Sequence, residues 1–445
     1  MKQILKILLI VIILGATGFI GLRFYQTNSK ESGTLQATLT PKTVIVTING
    51  RVYKTPNGIL NIKLAPQEYS ISFSYPGYSV VNKVIELQPQ KNLDLGLIYL
   101  FPVSWPQEQL VANDNIEKFY TNTNKTLIVY LVKTTKAYDW YLYNRNTKDN
   151  QKFYQTSSLP QEIMFTPDVK KLIINLKEND WRVVFLPKSL IETDIDLDNR
   201  FFSALKKSNW EIKSTPQIKQ ILVLANNSND EIIIRTLKGV YRFNYLEQSV
   251  SQVIDSQVSP LAIENNKLYF IKENGILSSF DLNTSEEKQL SFFAFKEADE
   301  ELNKIIIRKI PQKDIFLVIK ESGKTYLLNL PTEPPNILSE NIKDISISKS
   351  ADKILLYQLN KGLSVYDLSR NITMPLDILS ASLPQWFLDD NCLLLSNDSN
   401  LRIYNFVTQE TWSITNSLKN SDFIYDNALN YIFYLSSQGI IKTGL

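Results

Sequence analysis

With no histidine among its 445 residues, the chain cannot build a Ser-His-Asp or Cys-His nucleophile, an imidazole general base or an imidazole metal site. Chemistry falls to carboxylates and lysines. Glu297, Asp299, Glu300 and Glu301, interrupted only by Ala298, form an acidic run, and a run of like charge reads first as a solvated loop. Asp389-Asp390 sits where a turn uses Asx side chains to bond its own backbone. Asp194, Asp196 and Asp198 alternate with apolar residues as on one strand face. Three acids there would hold Ca2+ only weakly, because calcium takes about 6 to 8 oxygens, usually from more than one segment. A glycosidase needs two acids facing each other across a cleft, and spacing along the chain places no such pair. No catalytic, cofactor-binding or metal-binding residue is assigned from the sequence.

Aromatic residues offer a second kind of site. Trp105, Trp181, Trp210, Trp386 and Trp412 stand in turn contexts from which indoles stack on sugars or peptides, with core burial as the default for so large a ring. The single cysteine, Cys392, lies in the apolar run Asn391 to Ser396 and reads as a buried thiol. One cysteine excludes an intrachain disulfide, so hydrophobic burial must hold the fold. A net charge of +3, with Lys and Arg scattered along the chain, gives no basic surface for nucleic acid.

The elements that would position these residues begin with an apolar segment. From Ile4 to Leu22 only Lys6 and Thr17 interrupt it. As a helix it spans roughly 28 Å against a hydrocarbon core of ~30 Å. Residues 1–24 therefore read as a transmembrane anchor, or as a signal peptide cleaved after Ala16-Thr17-Gly18, followed by a linker at 25–31. No cysteine follows to permit lipoprotein processing. Arg23 and Lys30 balance Lys2 and Lys6, and a short positive leader before a long domain favours the N-terminus inside. The expected location is a single-pass cell-membrane protein with its C-terminal domains outside the cytoplasm.

Residues 32–102 alternate as strands: Thr43 to Ile48, Ile59 to Leu64 and Tyr69 to Ser74. Asn49-Gly50 predicts a type I′ hairpin, since both residues accept the positive φ it requires. The ordered series Ile48-Asn49-Gly50, Thr55-Pro56, Leu60 to Leu64, Ala65-Pro66, Tyr69 to Phe73 and Gly77-Tyr78 resembles the PEGA domain. It departs from that family at Gln67-Glu68, where a glycine is usual. The resemblance implies a small surface-layer or envelope β-sandwich with no catalytic role, and Tyr78 is expected to pack as a core aromatic.

From residue 103 to 445 the chain repeats at about 38 to 49 residues, the spacing of a blade unit. Near-continuous apolar runs recur at Thr126 to Leu131, Lys171 to Leu176, Gln220 to Leu224, Lys267 to Ile271, Asp314 to Ile319, Lys353 to Tyr357, Cys392 to Leu395 and Tyr431 to Leu435. Each is expected to be the second strand of a blade, covered on both faces. Third strands such as Trp140 to Tyr143, Gly275 to Leu282, Leu363 to Leu368 and Leu401 to Asn405 share an apolar, aromatic, Asx, Leu pattern. The turns Met164 to Lys171, Ile347 to Lys353 and Trp386 to Asp390 are similar to the repeat of TolB-type propellers, the first most closely. The fold class expected is mostly β: an N-terminal transmembrane helix, a PEGA-type sandwich, then a propeller of about eight blades, or seven. The last unit supplies three strands, so Leu97 to Val103 or Gln109 to Ala112 is expected to complete it and remove an open edge.

Two functions fit. One is a non-enzymatic extracytoplasmic binding or scaffold protein, anchored through residues 4–22, with the propeller presented to an envelope protein or a cell-wall polysaccharide. The other is a carboxylate-dependent glycan hydrolase on the propeller face. Neither calls for a cofactor.

Overall fold

The computed structural model describes residues 32–444 apart from 179, 188–193, 209–215, 225–229, 298, 331–333, 359–361, 379, 381–382, 389 and 398. The expected anchor and linker at 1–31 lie outside the described residues, as do Trp210 and Asp389. Among the described residues, no helix is long and apolar enough to cross a membrane. The chain divides into two compact units, separated between Pro106 and Gln107.

The first unit is a sandwich. Gly33–Thr40 pairs antiparallel with Ile59–Leu64 and parallel with Asn92–Tyr99; the facing sheet runs Arg51–Lys54, Ile45–Ile48, Gln67–Ser74, Val81–Leu87. Alternation along Gly33–Thr40 and Gln67–Ser74 buries Leu35, Ile71 and Phe73 completely. The Asn49-Gly50 turn has φ of 45° and 80°, as a type I′ turn demands. Asn49 ties it to the next strand: its N–H donates to the Ser70 carbonyl, and its Oδ1 accepts the Ser70 N–H, both at 2.9 Å. Tyr78 packs half-buried against this core, its ring edge-on to Tyr75 at 5.2 Å, as expected of a structural aromatic.

The second unit holds eight four-stranded antiparallel sheets among the described residues, at 116–156, 162–196, 218–254, 262–294, 306–339, 342–376, 385–415 and 418–444. In each, the second strand carries a fully buried core residue: Ile128, Leu172, Ile233, Phe270, Leu317, Ile354, Leu394 and Phe433. The third strands end on a recurring device. Asn144, Asn244, Asp281, Asp367 and Asn405 each turn the side-chain oxygen onto backbone N–H groups two or three residues ahead, closing an Asx turn into the fourth strand. The residue after the third strand then donates its N–H to the residue before the second, as in Leu186 to Lys170, Tyr245 to Asp230, Leu282 to Asn266, Leu330 to Asp314, Leu368 to Asp352 and Phe406 to Asn391. This is the physical content of the Asx-Leu pattern in the sequence.

The arrangement is propeller-like because it closes. Gln107–Ala112 forms the fourth strand of the last sheet, pairing antiparallel with Gly439–Gly444. The rival segment Leu97 to Val103 belongs to the first unit instead, where Asn92–Tyr99 pairs with Gly33–Thr40. The last sheet also reaches the first: Lys419 Nζ donates to the carbonyls of Asp114 (2.9 Å) and Ile116 (2.7 Å), and Asp422 accepts the Phe119 N–H at 3.2 Å. Val111, Phe119, Phe433 and Ile440 share one buried cluster across that seam. The first strands lie side by side along the ring, Leu418–Asp426 against Ile116–Thr121 and Ala262–Glu264 against Ile306–Lys309.

Two expectations are corrected. The apolar run Gln220 to Leu224 lies in the first strand of its sheet, Ile218–Val223; the second strand is Glu231–Thr236. A first strand packed between two neighbouring sheets buries Ile221 as deeply as a second strand would, so hydrophobicity alone does not order them. An α-helix, Leu197–Lys207, also interrupts the β pattern between the second and third sheets. Asp196 caps it, its side chain accepting the Asn199 N–H, and Leu197, Phe201, Ala204 and Leu205 bury one stripe. Phe201 sits edge-on to Tyr241 and Phe243 at 5.4 Å each, filling space that a direct connection would leave open.

Candidate functional site

Most of the described acids singled out by sequence spacing make ion pairs or hydrogen bonds that hold the fold. Glu297 and Glu300 converge on Lys320 Nζ at 2.8 and 3.0 Å, and the lysine side chain is only 4% exposed. Burial alone would push the ammonium down; the two carboxylates outweigh it and hold its pKa above the ordinary value. Glu301 pairs with Lys304, which also meets Glu321 at 2.9 Å. The run is exposed at Glu297, Asp299 and Glu301, as a solvated loop is, and lysines nonetheless clasp Glu297, Glu300 and Glu301.

Asp194, Asp196 and Asp198 do not share a strand face, because the strand stops at Asp196 and the helix begins. Asp194 accepts from Tyr154 OH and Arg182 NH1, each at 2.7 Å; Asp196 caps the helix; Asp198 is buried and accepts the Trp181 N–H at 2.8 Å. Burial, with Asp196 and Asp180 nearby, raises the Asp198 carboxyl to about 6. Among the described residues, no group of three or more His, Cys, Asp or Glu is placed to hold a metal ion. Asp390 accepts a hydrogen bond from Ser350 on the neighbouring sheet.

The tryptophans follow the core default in part. Trp105 and Trp181 are buried, Trp105 stacked on Phe101, while Trp386 and Trp412 are half-buried. Cys392 is fully buried.

The residues that do stand out were not legible as a motif. On the innermost strand of the last sheet, burial raises the Asp422 carboxyl to about 6, and Asp422 in turn, after burial itself, helps push the Tyr120 hydroxyl to about 12. A larger feature lies at the ring end carrying the turns between second and third strands. There a cavity of about 540 Å3 opens among Leu237, Glu273, Lys296, Glu300, Glu301 and Asn303, drawn from the third and fourth sheets and the connection to the fifth. Arg235, which does not line it, is 3% exposed. Its NH1 donates to the Val258 carbonyl at 3.2 Å and to Asn303 Oδ1 at 2.7 Å, both neutral acceptors, and its Nε has no partner among the described residues. Burial lowers its pKa to about 10.

A wider cavity of about 730 Å3 lies at the opposite ring end, between the first and second sheets, over Leu127, Leu142 and Leu186. Two of its polar lining residues are engaged: Asn144 Oδ1 closes an Asx turn, and Asn150 Oδ1 accepts from Tyr130 OH at 2.8 Å. The smaller cavity, walled by charged and amide side chains from two sheets and their connections, is the better candidate.

No family model matches the sequence, and no curated protein matches it. Among solved structures, the chain is similar to the Dos1 propeller (TM-score 0.49, 10% identity, covering 77% of this chain and 94% of that one). It is similar to Sqt1 of Saccharomyces cerevisiae (TM-score 0.47, 10% identity, 77% and 97%) and to the computationally designed Ika8 protein (TM-score 0.46, 10% identity, 76% and 99%).

Proposed function

We propose that this chain is a membrane-tethered, extracytoplasmic binding or scaffold protein. In this reading residues 4–22 anchor it, residues 32–102 form a PEGA-type spacer, and an eight-bladed propeller presents one end to an envelope protein or a cell-wall polysaccharide. The observation that carries it is the division of labour among charged groups. Most of the described acids that spacing marked for chemistry are held in clasps and caps, whereas the ring end carrying Leu237 and Glu273 offers an open cavity of about 540 Å3, within the range of ligand sites.

The test is affinity capture from envelope extracts and cell-wall polysaccharide with residues 32–445 as bait, against the same chain heat-unfolded. One partner is expected to be retained and to be lost when the cavity wall is reversed by Lys296→Glu. Retention of nothing beyond the unfolded control, or retention indifferent to Lys296→Glu, contradicts the proposal.

The hydrolase alternative has one feature in its favour, the raised carboxyl of Asp422 on an innermost strand, where a general acid is wanted. It requires turnover of a glycan that disappears in Asp422→Asn, and the binding reading expects no turnover in either chain.

A further inference from the structure

We propose that Gln107–Ala112 is a tension-sensitive clasp: load arriving along the chain from the first unit peels this strand off the last sheet and opens the ring while the other seven sheets stay folded. Among the described residues, each of those seven takes its fourth strand from the stretch that follows its own third strand. The last sheet does not. Its fourth strand is covalently continuous with the first unit at Pro106 and runs on into the first sheet at Ile116, and it joins Gly439–Gly444 by noncovalent contacts alone. Tension from the first unit therefore reaches this strand before any other part of the ring.

The ladder is arranged to part from that side. Gln107 pairs with Thr443, Glu108 with Lys442 and Gln109 with Ile441; the register then shifts, and Val111 pairs with Ile440 and Ala112 with Gly439. The bonds of an antiparallel ladder run across the strands. Loaded at one end they break one after another; loaded at opposite ends they share the load. The three rungs met first are also the weakest. Gln107, Glu108 and Gln109 are exposed. Beyond the backbone they are fastened by the Glu108–Lys442 pair at 2.7 Å and by Gln109 Nε2 donating to the Gln438 carbonyl at 2.8 Å, surface contacts of small worth. Apolar burial begins only past the register shift, with half-buried Leu110 and buried Val111 in the cluster of Phe433 and Ile440. An edge strand with so few buried contacts belongs to the low end of local stability. Its release leaves Gly439–Gly444 as an open edge able to pair with another strand. The source of the load, an anchor and a bound partner pulling apart, rests on the tethered reading above.

The test is to stretch single molecules of the full chain, in detergent, between enzymatically attached tags at its two ends. The stretch from Gln107 to Asn115, once extended, adds roughly 30 Å of chain. The first event expected is a reversible step of that size at a force below every other step. Oxidation of the Glu108→Cys, Lys442→Cys chain should abolish it and reduction restore it, and Val111→Thr, which keeps the side chain's shape, should lower its force. A first event that releases the sandwich or a whole sheet, a step of this size that survives the disulfide, or a force unchanged by Val111→Thr overturns the proposal. Failure of envelope capture with the step intact would instead strike the binding reading alone.

Discussion

Gly439→Ala is expected to destabilise the ring by roughly 3 kcal/mol or more, through backbone strain and a steric clash that act together. Gly439 opens the third strand of the last sheet at φ +120°, a conformation that L side chains rarely adopt, and a Cβ there would sit 2.0 Å from the Val111 carbonyl oxygen of the closing strand. No flexible side chain can yield, because the obstruction is backbone. Gly239 faces Ile254 O in the same way in the third sheet, at 2.3 Å, so the closing strand occupies the position of an ordinary fourth strand. Gly362 supplies the control: its φ is +77° and nothing lies within 4 Å of its added Cβ, so Gly362→Ala carries strain without the clash and costs about 1 kcal/mol. Urea unfolding of the three chains measures the difference. Equal losses for the two variants would mean that Val111 is not where the closed ring puts it.

The second large effect is a pH dependence centred on Asp198. Its carboxyl is raised by burial first, then by Asp196 and Asp180, from 3.8 to about 6. A raised folded-state value means that folding favours the protonated acid. The associated stability is therefore fully present below about pH 4 and is lost as pH rises toward 6. Roughly two units at about 1.36 kcal/mol each set an upper limit near 3 kcal/mol for the deficit at neutral pH. Asp198→Asn keeps an oxygen for the Trp181 N–H and removes the charge. It is expected to gain about 1 to 2 kcal/mol at neutral pH and to lose about as much in acid, where only the cost of the unpartnered amide nitrogen remains. Asp422 titrates in the same window, so the pH-dependent difference between variant and wild type, rather than the wild-type curve, isolates Asp198. A gain equal at both pH values would place its origin in packing, not charge.

How legible was this molecule in its sequence? Where local chemistry dictates conformation, the reading transfers directly. Asn49-Gly50 forms the turn its φ preferences require, and most of the apolar runs become buried second strands. The third repeat slips by one strand because Ile221 and Ile233 are equally buried, and periodicity cannot distinguish two strands that both face neighbours on either side. The helix carried a readable signal in the Asp196 cap and the stripe Leu197, Phe201, Ala204, Leu205, which the dominant β alternation masked. The acids failed as site markers for a different reason: charge clusters reveal their partners only in three dimensions, and Lys320 lies 20 or more residues from both its glutamates. The cavity had no sequence signal at all, since its walls Leu237, Glu273 and Asn303 come from separate parts of the chain that only the fold brings together.

The closed ring is tested most directly by joining its two ends. Glu108 and Lys442 are cross-strand partners, their side chains paired at 2.7 Å across a sequence separation of 334 residues. Glu108→Cys with Lys442→Cys, in a chain whose native Cys392 is buried, should oxidise to an intramolecular disulfide within a monomer and raise the melting temperature. Disulfides formed only between chains, or none under oxidation of the folded protein, would contradict closure by the Gln107–Ala112 strand.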